Sequence, residues 1–348
     1  MHERIEASDL AFARNSLLIN NFMTIAEKCG NDCLLIPLKG VSLLIALYDE
    51  DCVRPVSDID LLTDERSLPQ LLKILNELGY KLKSPSAFNR LKTKGKFDML
   101  TDSPAFFALD VHISLINKKF FRLTTGDFTA FALSRIRQIP YKEQKISFLS
   151  PVDEWLYMAQ HYCFHLFADD KWLRDLFMLQ NSFSDAYIAE IQVVARQFNL
   201  CRILTAAIRM MKHKYGTDAV KIPELVEGKH FIFDSLFRNP NKKYSATFFN
   251  RIIAAWWEFI FIDRSKARIK AFLRQLFPGI SLISDIYAAN NFFSILLLPI
   301  HPVITLLSLA VFFSWICGQY FLSVRRCVCR FRPLRFRISR RCFWSVLP

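Results

Sequence analysis

Apolar residues recur at helical spacing over residues 8–29, where Leu10, Leu17, Leu18, Phe22 and Ile25 fall along one side and Ser8 stands as an N-cap. The role expected of this helix is to pack over the first strand. That strand begins in the apolar run Leu34-Leu35-Ile36 and turns at Lys39-Gly40 into a helical segment from Val41 to Tyr48. A second strand is predicted through Asp58-Ile59-Asp60-Leu61-Leu62. Its period of two sends Asp58 and Asp60 to one face and Ile59 and Leu61 to the other. Ser67 then caps a helix carrying Leu68, Leu71, Leu72, Leu75 and Leu78, which stops at Gly79, and Tyr80 to Lys83 reads as a short strand. Residues 90–100 read as a strand or hairpin turning at Gly95. Its Lys92, Lys94 and Lys96 form either a solvated face or a phosphate-facing one. Residues 106–115 alternate again: Leu109, Val111, Ile113 and Leu115 on one face, Ala108, Asp110, His112 and Ser114 on the other.

From Phe128 the pattern turns helical. Ser150-Pro151-Val152-Asp153-Glu154 combines an N-cap serine, a proline at the first helical position and two acids in the first turn, all signals of a helix start. The helix that follows carries His161 and His165 on one face. That spacing suits a metal, but no glutamate stands in an HExxH arrangement, so the pair reads as a wall rather than a zinc site. Two more helices are predicted over residues 186–216. Another, from Ala254 to Leu276, has a basic face (Arg264, Lys266, Arg268, Lys270, Arg274) and ends at Phe277-Pro278-Gly279.

Composition changes this picture mainly at the C-terminal end. The chain has 348 residues, 52% of them hydrophobic, enough for one large core or two ordinary ones. Its net charge of +14 is uneven: eight of the arginines lie in residues 286–348, which hold no Lys, Asp or Glu, leaving 14 − 8 = +6 for the rest. The basic balance is therefore a property of the tail and gives no clear nucleic-acid footprint. Nine cysteines at irregular spacing form no disulfide framework and no paired CxxC pattern, which points to a reducing compartment. The charged N-terminus lacks an apolar signal region, so a cytoplasmic location is expected.

Residues 292–322 carry no Asp, Glu, Lys or Arg, and Pro299 and Pro302 split them. The piece from Val303 to Leu322 is 20 residues long, about 30 Å as a helix, enough for a bilayer core. A single crossing would part the arginines from the rest of the chain. A re-entrant hairpin or an interfacial segment would instead keep both on the cytoplasmic face of a membrane. A buried helical hairpin and an out-of-frame tail are the other readings.

The chemistry concentrates between Leu34 and Leu62. Two carboxylates side by side on a strand face repel each other unless a cation lies between them. Mg²⁺, a hard ion that prefers oxygen ligands and accompanies phosphates, suits Asp58 and Asp60, with Mn²⁺ the alternative; a solvated strand edge would give the same triplet. Around that pair the sequence reads Leu38-Lys39-Gly40, a short helix from Leu43 to Tyr48, and Arg54-Pro55-Val56-Ser57-Asp58-Ile59-Asp60-Leu61-Leu62. This arrangement resembles the polymerase-beta-type nucleotidyltransferases, and within them a poorly characterised bacterial branch. The resemblance runs from about residue 10 to about Tyr287 and is strong in residues 38–62 and 109–112. It implies a small mixed β-sheet with flanking helices, an α+β or α/β core.

The resemblance further implies a third metal-binding carboxylate on a neighbouring strand, which Leu109-Asp110-Val111-His112 supplies as Asp110. His112 would orient Asp110, contact substrate or fill the edge. In the wider superfamily a Gly-Ser pair cradles the triphosphate. Here Val41 separates Gly40 from Ser42, and the gap to Asp58 is longer than usual. On this reading Gly40 allows close backbone approach, the amides of Val41 and Ser42 contact phosphate, and Lys39 or Arg54 neutralises its charge. The expected reaction moves a nucleoside monophosphate from an NTP, ATP above all, to an unidentified acceptor hydroxyl, with two Mg²⁺ ions (or Mn²⁺) held by Asp58, Asp60 and Asp110. A phosphotransferase on the same scaffold and a non-catalytic membrane-associated scaffold are the alternatives. The organisation expected is an N-terminal helix (1–29), a nucleotidyltransferase domain (30–145), a helical domain (146–287) and a hydrophobic, Arg-rich tail (288–348).

Overall fold

The computed structural model describes residues 2–48, 54–83, 91, 95–103, 106–116, 127–165, 167, 169–226, 261–263, 265–277, 301–310 and 314. Five short strands, β1 (Ile36–Leu38), β2 (Ile59–Leu62), β3 (Tyr80–Leu82), β4 (Lys96–Thr101) and β5 (Leu109–His112), form one mixed sheet in the order β1-β2-β5-β4-β3. β2 and β5 run parallel at its centre; the other pairings are antiparallel. The fold is the mixed α+β arrangement expected, a small sheet with flanking helices.

Pleating sorts the strand residues. Ile59, Leu61, Leu109, Val111, Phe97 and Met99 join the apolar cluster under α1 (His2–Cys29) and α3 (Leu68–Glu77). Ile36, Leu38 and Leu62 point the other way and share a cluster with the helical half of the molecule. That half is built on α5 (Pro151–Phe164), against which α6 (Asp170–Asn181), α7 (Asp185–Gln197) and α8 (Cys201–Tyr215) pack. Its start follows the sequence signal: Ser150 accepts from the amide of Asp153, with Pro151 at the first position. One continuous apolar cluster thus crosses residue 146.

Several expectations are corrected. α1 begins at His2, so Ser8 lies inside it, and the buried line is Leu18, Phe22, Ile25 and Cys29. Leu10 and Leu17 face outward because that line, at i, i+4, i+7 and i+11, leaves Leu17 one residue round the helix. Ser67 does not cap α3; its hydroxyl accepts from Leu34 N at 2.9 Å, and Asp64 accepts from the Ser67 amide instead. Gly79 does end α3, at φ +85°. The stretch after Phe128 is not wholly helical. After α4 (Phe128–Leu133) comes a hairpin of β6 (Arg137–Tyr141) and β7 (Gln144–Phe148). Its alternation of Ile139, Tyr141, Ile146 and Phe148 is a strand pattern that the helical reading overrode.

The helix expected from Ala254 is described from Ser265 to Leu276 as α9; residues 254–260 and Arg264 lie outside the described residues. So do Lys92, Lys94 and the whole arginine-rich end. Of residues 292–322 the structure describes 301–310 and 314 as helical. No helix among the described residues is long and apolar enough to cross a membrane.

Candidate active site

The parallel register of β2 and β5 sets Asp60 opposite Asp110 and Leu62 opposite His112. His112, two residues beyond Asp110, shares its face. Its Nε2 lies 3.1 Å from Asp60 Oδ1 and 3.6 Å from Asp110 Oδ2. One ligand atom from each of Asp60, Asp110 and His112 lies within 4.8 Å of the others. Asp110 Oδ1 is buried and, among the described residues, has no hydrogen-bond partner. An orphaned carboxylate oxygen beside a second carboxylate and an imidazole fits a divalent cation that accepts oxygen and nitrogen together.

Two lysines balance these charges. Lys39 Nζ sits 2.7 Å from Asp60 Oδ1, and Lys96 on β4, opposite His112 across the register, pairs with Asp110 Oδ2. Burial works to raise the Asp60 pKa, but the Lys39 ammonium and His112 outweigh it and hold the carboxyl at about 2. Burial likewise opposes ionisation of Asp110, and His112 and Lys96 overcome it, keeping it well below the usual carboxylate range.

Lys39 is aimed by its backbone. It takes φ +49° where β1 gives way to α2 (Lys39–Ala46), and its ammonium lies 5.6 Å from the centre of the Tyr157 ring. Glu154, on α5, holds this turn: its Oε1 accepts from Lys39 N at 3.2 Å and its Oε2 from the Ser42 hydroxyl at 2.9 Å. Burial pushes the Glu154 carboxyl up to about 7 against these hydrogen bonds. The next residue must be glycine, because a Cβ on Gly40 would come within 2.6 Å of Val56 Cγ1 and 3.2 Å of Arg54 Nη1. The close approach expected of Gly40 is therefore to the loop before β2. α1 positions that loop: Arg14 Nε donates to Val56 O at 3.0 Å and Asn15 Nδ2 to Arg54 O at 2.8 Å. Arg54 itself is buried, with Nε and Nη2 donating to the two oxygens of Asp175, which also accepts from the Tyr48 hydroxyl at 2.6 Å.

A cavity of about 210 Å³ joins these parts, lined by Lys39, Gly40, Arg54, Asp58, Asp60, Lys96 and Asp110 on one side. His161, His165, Lys171 and Trp172 line it from the helical half, the wall expected of the histidine pair. The two imidazoles lie 4.2 Å apart and contact the Trp172 ring at 4.5 and 5.0 Å. Burial and the nearby Lys39 charge lower the His165 pKa to about 4 and that of His161 well below its ordinary value, so both are neutral. A larger cavity, about 710 Å³, opens at the other end of β1 between α1 and the β6–β7 hairpin. It touches none of the carboxylates in question, and size alone does not make it the site.

The sequence-selected residues part company here. Lys39, Gly40, Arg54, Asp58, Asp60 and Asp110 share the cavity. Val41 and Ser42 are buried away from it, Ser42 engaged by Glu154. The strand starts at Ile59, so Asp58 is exposed ahead of it, its Oδ1 accepting from the Ser57 hydroxyl at 2.9 Å, while Asp60 is buried. Glu154 escaped sequence reasoning because its acid counted as a helix-start signal, and no local pattern announces a partner 115 positions away. Lys96 was visible only as one of three lysines.

Among curated proteins none matches the chain. The model of a family described as uncharacterised nucleotidyltransferase matches residues 5–216, from α1 through α8, taking in the sheet, the carboxylates and the histidine wall. The chain belongs to this uncharacterised nucleotidyltransferase family.

Proposed function

We propose that the chain is a metal-dependent nucleotidyltransferase that moves a nucleoside monophosphate from an NTP, ATP first among them, to an acceptor hydroxyl and releases pyrophosphate. The observation that carries this reading is the Asp60, Asp110 and His112 cluster, whose two carboxylates open with Lys39 and Lys96 onto one cavity. Asp60 and Asp110 would hold divalent cation, Mg²⁺ or Mn²⁺, with Asp58 completing the set from the exposed side and His112 as accessory. Two such ions, when bound, neutralise charge on the attacking and leaving oxygens. To bind metal through Nε2, His112 must give up the proton it shares with Asp60 Oδ1. Asp110 Oδ1, buried and unpartnered, stands to take the acceptor's proton. A cavity of about 210 Å³ suits the phosphate end of the nucleotide rather than all of it. Lys39, Lys96, Lys171 and the Gly40 backbone would line that end. Arg54, its charge balanced by Asp175, would brace the loop at that end, and the amides of Val41 and Ser42 act through the turn they brace.

The test is product analysis with ATP labelled separately at the α- and γ-phosphates, offered with Mn²⁺ or Mg²⁺ and a metabolite mixture. Nucleotidyl transfer puts the α-label on the acceptor, and Asp110→Asn abolishes it. Transfer of the γ-label would make the protein a phosphotransferase. No ATP binding and neither label moving, in wild type and Asp110→Asn alike, would make it a scaffold.

We also propose attachment to the cytoplasmic face of a membrane. Val303, Leu306 and Leu307 are exposed on the helical residues 301–310; Ile269 and Leu273 are exposed along α9, where Lys266 also faces solvent, and Phe277 is exposed just past its end. Exposed apolar stripes, one of them beside a lysine, suit an anionic lipid surface. Leu306→Asp with Leu307→Asp in the full chain should release it from anionic vesicles in a pelleting assay. Equal pelleting of both proteins would remove the claim.

A further inference from the structure

The carboxylates that would hold metal are not idle in the free protein. Lys39 Nζ takes Asp60 Oδ1 at 2.7 Å, and Lys96 Nζ takes Asp110 Oδ2. His112 Nε2 leans on the same two oxygens. A divalent cation held by Asp60 and Asp110, even one entering at the orphaned Asp110 Oδ1, would come up against these two ammonium groups, which repel it. An ammonium is a compact charge with three donors on a flexible four-carbon stem, so it can change partner without moving its backbone. Both lysines line the cavity into which the carboxylates open, and both stems start from fixed backbone, one at a braced turn and one at the start of β4, paired on both sides.

We infer that Lys39 and Lys96 are exchangeable counter-ions: each holds a metal-binding carboxylate oxygen in the free protein and passes to a phosphate oxygen of the substrate when cation arrives. The inference rests on the nucleotidyltransferase reading and adds two things to it. It gives Lys96, already placed at the phosphate end, a second partner in the free protein, and it couples cation and triphosphate binding, because cation binding frees the lysines the polyanion needs. The Lys96 pair is the looser of the two and has room to open into the cavity. Here Asp110 Oδ1 is orphaned and the Lys96 side chain is 39% exposed.

The two ligands respond to loss of Lys96 with opposite signs, and that is what the experiment reads. Mn²⁺ alone is titrated into the full chain by electron paramagnetic resonance. α,β-Methylene-ATP is then titrated by calorimetry at saturating Mn²⁺. Lys96→Met should bind Mn²⁺ about tenfold more tightly and the analogue about tenfold more weakly, the scale of one charged hydrogen bond. Lys96→Arg, which keeps the charge, should stay within about twofold of wild type in both. Lys39→Met should shift both ligands in the same directions. Its side chain is buried, so if that variant misfolds, the half-exposed Lys96 decides alone. Tighter Mn²⁺ with unchanged analogue would reduce Lys96 to a shield and overturn the exchange. No change in either would overturn it too, while leaving the enzyme reading in place. A wild-type protein that binds Mn²⁺ but not the analogue, or neither, would sink both.

Discussion

Glu154 is the residue with the most consequence for its size. It is buried between the turn at Lys39 and the Ser42 hydroxyl, and its carboxyl is pushed up to about 7 from an ordinary 4.5. A raised acid favours folding in its protonated form, so its contribution is full below pH 4.5 and is lost as pH rises through 7. Its size is on the order of 3 kcal/mol. His161 and His165, held neutral, act in the opposite sense: their contribution is present above pH 6.5 and is lost as pH falls toward 4. The wild-type slope therefore mixes the two. Glu154→Gln isolates the first, because an amide still accepts from Lys39 N and never ionises. The variant is expected to gain stability over wild type at pH 8 and to lose that advantage by pH 5, measured by urea unfolding at both. An advantage that does not change with pH would mean that Glu154 titrates normally. Asp60 carries a different liability. Asp60→Asn leaves the Lys39 ammonium buried without its carboxylate, so it is expected to cost about 3 kcal/mol of stability as well as activity. Asp58→Asn, on an exposed acid, should melt like wild type.

At the scale of elements, the site is a junction of β2, β5 and the turn into α2, clamped by the 54–57 loop. Gly40 has its place because Val56 leaves no room for a Cβ. Gly40→Ala is expected to cost about 1 to 3 kcal/mol by overpacking, and to displace the turn that aims Lys39. Since the clash is with a valine side chain, Val56→Ala in the same chain should recover most of the loss. Thermal melts of the two single variants and the double variant test this. Additive losses in the double variant would place the strain in the backbone rather than at Val56.

At the scale of the molecule, the sheet half and the helical half close on each other across polar groups as well as apolar ones. Arg54 and Tyr48 reach Asp175 on α6, and Glu154 on α5 reaches back to α2. Asp175 is fully buried, so Asp175→Asn leaves a buried guanidinium short of its charge partner. It is expected to destabilise the whole protein by about 3 kcal/mol and to weaken triphosphate binding, because the Arg54 loop forms one side of the cavity. Denaturant unfolding followed by both near- and far-ultraviolet circular dichroism tests it. Loss of tertiary signal from the helical half alone would show that the two halves unfold separately.

Alternation by itself determined the strands that matter, since Ile59 and Leu61, or Leu109 and Val111, have only one apolar face to bury, and a one-residue slip would expose it. It likewise put Asp60, Asp110 and His112 on the opposite, polar sides of those strands. The helix at Pro151 was equally legible, because its N-cap, proline and acids act within one turn. What alternation could not carry was pairing at a distance. Only the parallel register of β2 and β5 set Asp60 beside Asp110. Only the fold of α5 over the sheet brought Glu154, His161 and His165 to Lys39, and only that of α6 brought Asp175 to Arg54. A strand's period fixes the face on which a side chain stands, but its charge partner is chosen where separate elements meet in a low-dielectric interior. There an unpaired charge costs several kcal/mol, so the tertiary structure, rather than any local pattern, settled which acids meet which bases.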